Sequence, residues 1–235
     1  MSTIELDTET ATSTRRPSAA LLVLAAVGLL LLGAVAGVLL RMPLENKPDD
    51  AEPSAVDIGF SQDMAAHHAQ AVDMAGIALI ASTDNEVRRL AYDILTTQQN
   101  QIGRMQAWLQ LWGESNQNVD GYMSWMTDGS SGGHHGGATA GPAMTGPMQS
   151  MPGMASQEEM TALRQSTGPT LDTMFLQLML RHHQGGVPML DYAAGKATTT
   201  AVRTLADTMS KTQARESQLM TTMLAARGAN PLAMN

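Results

Sequence analysis

Residues 60–74 read FSQDMAAHHAQAVDM and residues 175–189 read FLQLMLRHHQGGVPM. Phe, Gln, Met, His, His, Val and Met recur at one offset of 115 residues with no gap between them. The same offset carries Asp57 onto Asp172. Downstream it carries Val87, Arg88, Leu90 and Ala91 onto Val202, Arg203, Leu205 and Ala206, and Thr97, Gln98, Met105 and Leu109 onto Thr212, Gln213, Met220 and Leu224. The chain therefore contains two copies of a unit of roughly 55 residues, and its fold follows from how two such units pack.

Inside each copy the apolar residues keep helical spacing. At ~100° per residue, Phe60, Met64, His67, Ala71 and Met74 fall within about 40° of one line, the stripe that a bundle helix turns inward. His67 lies on that seam, and His68 on its flank beside Met64. Ser54-Ala55-Val56-Asp57 has the spacing of a capping box, with Asp in place of Glu, so a helix is predicted from about residue 55 to Ala81. Thr83-Asp84-Asn85-Glu86 reads as a second box, opening a helix that reaches Trp112 and stops at Gly113. Leu90, Ile94, Gln98, Gln101, Ile102, Met105 and Leu109 form its inner face. In the second copy, Ser156 to Glu159 starts a short helix that ends near Gly168-Pro169. A main helix begins near Thr170 and turns Phe175, Met179, His182, Gly186 and Met189 inward. Pro188 predicts a kink just past the histidines, because it lacks an N–H and crowds the carbonyl of Gln184. A last helix covers about Thr199 to Arg227 and ends at Gly228. Short connections make each helix pair antiparallel, so the fold class is all-α: an antiparallel four-helix bundle over residues 55–228.

Residues 1–18 are Thr, Ser and charge, and Arg15-Arg16 precede an apolar run from Ala19 to Leu40. Twenty-two helical residues reach roughly 33 Å, enough for a hydrocarbon core of about 30 Å. No Ala-x-Ala cleavage site stands out, so an uncleaved transmembrane anchor is expected over 19–40, with a cleaved signal as the alternative. Arginine placement puts 1–18 in the cytoplasm and everything after Leu40 outside the cell membrane. Gly33 and Gly37 form a GxxxG that permits pairing into a homodimer, although this spacing also arises by chance in a Gly/Ala-rich run. Residues 41–54 are an acidic linker.

The composition narrows the chemistry. There is no cysteine, hence no thiolate metal site and no cysteine nucleophile. The net charge of −8 with no basic cluster argues against nucleic acid and in favour of cations. Nineteen methionines are unusual, and all six histidines occur as three adjacent pairs. Because the two units pack about a pseudo-twofold axis, His67 and His182 are expected to face each other, flanked by His68 and His183, with Met64, Met74, Met179 and Met189 above and below. Imidazole with thioether suits Cu(I) or Ag(I), and Cu(II) through the imidazoles. Gln98 and Gln213 are expected as partners for the imidazole N–H groups. Residues 114–155 interrupt the bundle with a loop rich in Met, Gly and Ser, read as a mobile, solvated insertion. Its His134, His135, Met123, Met126, Met144, Met148, Met151 and Met154 are candidates for weaker, exchangeable metal binding.

Two other readings compete. Each histidine could be a satisfied core residue in a scaffold that binds no metal, and a Met stripe at helical spacing is commonly core. A di-iron or redox enzyme needs Glu on two helices and Glu-x-x-His on two others. Here Asp63 has Leu178 as its counterpart, and Glu216 alone is acidic on the inner face of a second helix, so too few carboxylates remain and no catalytic residue is assigned.

The motifs Asp57-x-x-Phe60-x-x-x-Met64-x-x-His67-His68 and Ser166-x-Gly168-x-x-x-Asp172-x-x-Phe175-Leu176-x-x-Met179-x-x-His182-His183-Gln184-Gly185 resemble the family of the domain of unknown function 305. The run Val202-x-x-Leu205-Ala206 followed by Gln213-x-x-Glu216-x-x-x-Met220 is similar to the second helix of that family. The resemblance covers about residues 55–228. It implies a ferritin-like four-helix bundle, commonly exported or membrane-anchored, with copper binding and copper tolerance among some members. Gln101 departs from it where the family motif has Glu, and Pro188 departs from it after the second histidine pair, so the two halves are expected to bind metal unequally.

Overall fold

The computed structural model describes residues 19–45, 52–119, 121–126 and 148–235. Residues 1–18 and most of the linker lie outside these, as do His134, His135 and Met144. Six helices follow one another: α1 (Ala19–Glu45), α2 (Ala55–Ala81), α3 (Asn85–Trp112), α4 (Gln157–Gln165), α5 (Gly168–Lys196) and α6 (Thr200–Ala226). The chain divides into two units, 1–49 and 50–235.

The first unit contains α1, whose sequence from Ala19 to Leu40 is apolar apart from three glycines. Val23, Leu24 and Leu29 to Leu32 are exposed. Among the described residues no helix is long and apolar enough to cross a membrane. The side chains of Leu21, Leu22, Ala25 and residues 38–45 are not among those described. The expected span therefore stands on the sequence of the run and not on this structure.

In the second unit, α2 packs along α3 and α5 along α6, and the two hairpins meet through α2 and α5. The sequence rules hold closely at the helix ends. Ser54 accepts the Asp57 N–H while Asp57 accepts the Ser54 N–H, closing the box that opens α2. Ser156 and Glu159 do the same for α4. At α3 the cap is Asp84, not Thr83: its carboxylate takes the Glu86 and Val87 N–H groups, and no box forms. Gly113 ends α3 in the left-handed region at φ 74°, which a residue with a side chain adopts only at a cost. α5 begins at Gly168, two residues earlier than predicted, because Pro169 is tolerated in a first turn. It continues as one helix through Pro188 to Lys196.

Two apolar clusters fill the bundle. One gathers Phe60, Met64, Met105, Met189, Leu190 and Val202. The other gathers Met74, Ala78, Leu90, Phe175, Met179 and Met220. Along α2 the chain passes from the first cluster to the second, and along α5 from the second to the first, so the two central helices are antiparallel. The histidine pairs occupy the stretch of each helix between the clusters.

Residues 121–126 and 148–155 differ from the solvated loop expected of them. Met123, Trp125 and Met151 are buried in the first cluster, with Met126, Met148 and Met154 half-buried against it. Tyr122 and Met148 exchange backbone hydrogen bonds in an isolated antiparallel bridge, which sets residues 121–126 beside Met148. The physical reason lies in Asp63, whose carboxylate accepts the Met123 N–H at 2.6 Å and the Trp125 indole N–H at 2.8 Å. Gly59 leaves the space that the Trp125 ring fills: a Cβ there would stand 2.3 Å from it. The methionines of these flanks gain from packing, contrary to the expectation of free thioethers.

Candidate metal centre

His67, His68, His182 and His183 are all buried, each exposing no more than 1% of its surface. His68, on the flank of the seam, is as fully buried as His67. The rings of His67 and His182 stack across the α2–α5 interface, with centroids 3.8 Å apart and planes tilted by 34°. Gly186 makes this approach possible, since a Cβ there would come within 3.3 Å of the His67 ring.

Each ring has one hydrogen bond, and in every case the partner is an oxygen. His67 Nε2 faces the carbonyl of Pro152 at 3.4 Å, and His182 Nε2 faces the carbonyl of His67 at 3.0 Å. His68 Nε2 lies 2.8 Å from Gln101 Oε1, and His183 Nε2 lies 2.8 Å from a carboxylate oxygen of Glu216. An oxygen acceptor requires a donor, so each Nε2 carries a proton. The imidazole partners are therefore Gln101 and Glu216, which occupy equivalent places in the two repeats, rather than Gln98 and Gln213 as expected. Gln98 leaves both side-chain polar atoms without a partner, and Gln213 leaves its carbonyl oxygen so. Helical spacing put Gln98 and Gln101 on the same face. Only the packed register shows which one reaches the ring.

The other nitrogen of each ring, Nδ1, is buried with no hydrogen-bond partner in all four histidines. Burial lowers the pKa of His67 to about 4 and that of His68 to about 3, and pushes that of His182 well below the usual range, with the neighbouring imidazoles adding to the effect. These three rings are neutral at pH 7, so their Nδ1 atoms present bare lone pairs. A buried, unpaired polar atom costs about 1–3 kcal/mol. Several in one layer are unusual for a merely structural core and fit a site built for a ligand. Met64 and Met189 lie in the apolar cluster on one side of the layer, Met74 and Met179 in the cluster on the other, and all four are fully buried. Among the described residues no three His, Asp or Glu side chains are grouped so as to hold a metal ion. An ion in this layer would draw on imidazole and thioether together, a set that suits soft monovalent cations. Of the loop candidates, Met123 and Met151 are buried in the first cluster and Met126, Met148 and Met154 pack half-buried against it, while His134, His135 and Met144 lie outside the described residues.

The fold recurs in solved structures. A protein of Streptomyces coelicolor described as secreted is 39% identical, with a TM-score of 0.65 over 76% of this chain and 97% of its own. A fragment from Deinococcus radiodurans is 30% identical, with a TM-score of 0.57 over 74% of this chain and 98% of its own. CopM in its Cu(I)-bound form is 24% identical, with a TM-score of 0.51 over 72% and 96%, a likeness of fold. No curated protein shows significant similarity to the chain. The family model for the domain of unknown function 305 (DUF305) matches residues 57–224, which include both histidine pairs and nearly the whole of the four bundle helices, and the chain belongs to that family.

Proposed function

We propose that the protein binds copper outside the cytoplasm, taking Cu(I), with Ag(I) as its analogue, between the His67/His68 and His182/His183 pairs and the thioethers of Met64, Met74, Met179 and Met189. The role is one of holding metal for homeostasis or tolerance and not of turnover. The observation that carries this reading is the layer of buried imidazoles whose Nδ1 atoms have no partner. Support comes from the fold shared with CopM, which has been solved with Cu(I), Cu(II) and Ag bound. The bundle is held at the cell membrane by residues 19–40, with the N-terminal arginines inside. The apolar run supports the anchor, and the description of the Streptomyces coelicolor protein as secreted supports the extracytoplasmic side.

A scaffold reading rests on the one hydrogen bond that each imidazole does make. Titration of the full chain in detergent with Cu(I) against a colorimetric chelator separates the two. Replacing His67, His68, His182 and His183 together by Gln should abolish at least one tight equivalent while the helical signal persists. An unchanged titration would leave the histidines as core residues. The orientation is checked on intact cells, where added protease should digest the bundle; protection alongside digestion of a surface control would reverse the topology.

A further inference from the structure

One stretch of backbone from the inter-repeat segment lies directly against the stacked His67–His182 pair. It is the segment Met151 to Ala155, which crosses the groove between α2 and α5. Pro152, itself half-buried, points its carbonyl at His67 Nε2. Gly153 adopts φ 78° and lies so close to α5 that a Cβ would stand 2.5 Å from the Arg181 carbonyl and 3.1 Å from the His182 Cα. From the other side, a methyl group on Gly185 would stand 2.2 Å from the Pro152 carbonyl oxygen. Backbone meets backbone here, with no side chain between.

Two amides fasten the segment from opposite directions. Gln70, on α2, donates to the Ala155 carbonyl at 2.9 Å and accepts the Ala155 N–H at 2.7 Å. Asn235 accepts the Gly153 N–H at 3.2 Å and donates to the Met154 carbonyl at 2.9 Å. The chain that carries Asn235 returns along α5, where Gln177 donates to the Asn230 carbonyl at 2.7 Å. None of these bonds involves a charge; those to the Met154 and Asn230 carbonyls are exposed and the other three are part-buried, contacts that can open locally without unfolding the core.

We propose that residues 151–155 form a hinged strap over the histidine chamber and that Gln70 and Asn235 are its clasps, so that release of the strap is the route by which a small ligand reaches His67 and His182. His68 and His183 direct their hydrogen bonds to α3 and α6 and not to the strap. The strap bears on the metal reading by setting how fast an ion exchanges, but its existence as a gate does not depend on copper.

The test needs no metal. Diethyl pyrocarbonate modification of each histidine in the apo full chain is followed by mass spectrometry for the wild type, Asn235→Ala and Gly185→Ala. Losing two neutral hydrogen bonds corresponds to roughly tenfold or more in the opening equilibrium, so Asn235→Ala should raise the rates at His67 and His182 about that much. Gly185→Ala, which favours the helix of α5 but denies the strap its seat, should raise them at least as far. His68 and His183 should keep wild-type rates, and melting temperatures should stay close to the wild type. Unchanged rates at His67 and His182 in Gly185→Ala, or a parallel rise at all four histidines, would overturn the strap. Cu(I) release to a chelator is the second readout and should quicken in both variants. A protein that takes up no Cu(I) would sink the copper reading while leaving the modification result to decide the gate.

Discussion

Burial keeps His67, His68 and His182 in the neutral form that a soft cation binds, and the same burial makes the apo bundle sensitive to mild acid. The folded pKa values lie below the unfolded value of about 6.5, so the unfolded chain takes up protons first as the pH falls. The stabilisation is complete above about pH 6.5 and is lost progressively down to about pH 4 for His67 and about pH 3 for His68. At about 1.4 kcal/mol per pKa unit, the loss over its window is about 3 kcal/mol for His67 and about 5 kcal/mol for His68. Urea unfolding of the metal-free protein should therefore show a clear loss of stability between pH 7 and pH 4.5, and His67→Gln with His182→Gln should flatten it. A wild-type profile as flat as the variant's would show that these rings are hydrated. The residues at which the two repeats disagree are equally informative. Where one copy has Gln70 the other has Gly185, and where one has Asp63 and Gly59 the other has Leu178 and Met174. Gln70 and Gly185 seat the strap, while Gly59 and Asp63 seat Trp125 and Met123. The repeat is broken where the intervening chain docks.

At the scale of elements, helix order, helix ends and the inward faces were legible, because capping boxes, glycine stops and a 3.6-residue apolar period are local signals. The meeting of His67 with His182 was legible too, since equivalent residues of a duplicated hairpin lie near the pseudo-twofold axis. What the sequence concealed was long-range pairing of polar groups. Asp63 read as a carboxylate missing its mate for a di-iron site, yet its partners are backbone and indole N–H groups some sixty residues away. The packing of Met123 and Met151 was hidden for the same reason, because a Gly-rich neighbourhood masks short segments that fold onto a bundle already formed. Asp57 shows how one such contact joins elements. Its carboxylate caps α2 and also accepts N–H and hydroxyl bonds from Thr198 and Thr199, at the turn between α5 and α6. Burial alone would raise its pKa, but the bonds from Ser54, Thr199 and Thr198 bring it down to about 2. A depressed carboxylate stabilises above the unfolded pKa of about 3.9 and loses that contribution as the pH falls through 2. Asp57→Asn should cost about 2 kcal/mol at pH 7, read by urea unfolding, and the cost should vanish near pH 2. A cost that persists at that pH would assign the loss to packing and not to charge.

For the whole molecule, two hairpins supply the buried histidine layer and the chain between them packs against it, so the 114–155 interruption does not behave as one region. Residues 121–126 are anchored on Asp63 and residues 148–155 on Gln70 and Asn235, and residues 127–147 lie outside the described residues. The bridge between Tyr122 and Met148 holds the two anchored flanks side by side, so their separation does not depend on what lies between them. This fixes where the loop can be cut. Deleting all of 118–154 would strip Met123, Trp125 and Met151 from the core and remove the strap, and its effect on metal would be indistinguishable from damage to the bundle. Replacing residues 127–147 by a short Gly-Ser turn should keep the melting temperature within a few degrees, because no packed contact described above is lost. The same replacement removes His134, His135 and Met144, so weakly held, fast-exchanging Cu(I) equivalents should disappear from the titration while the tight equivalent of the histidine layer remains. If the tight equivalent goes with the loop and the melting temperature holds, the ligands are those of 127–147, and the buried histidine layer is a core.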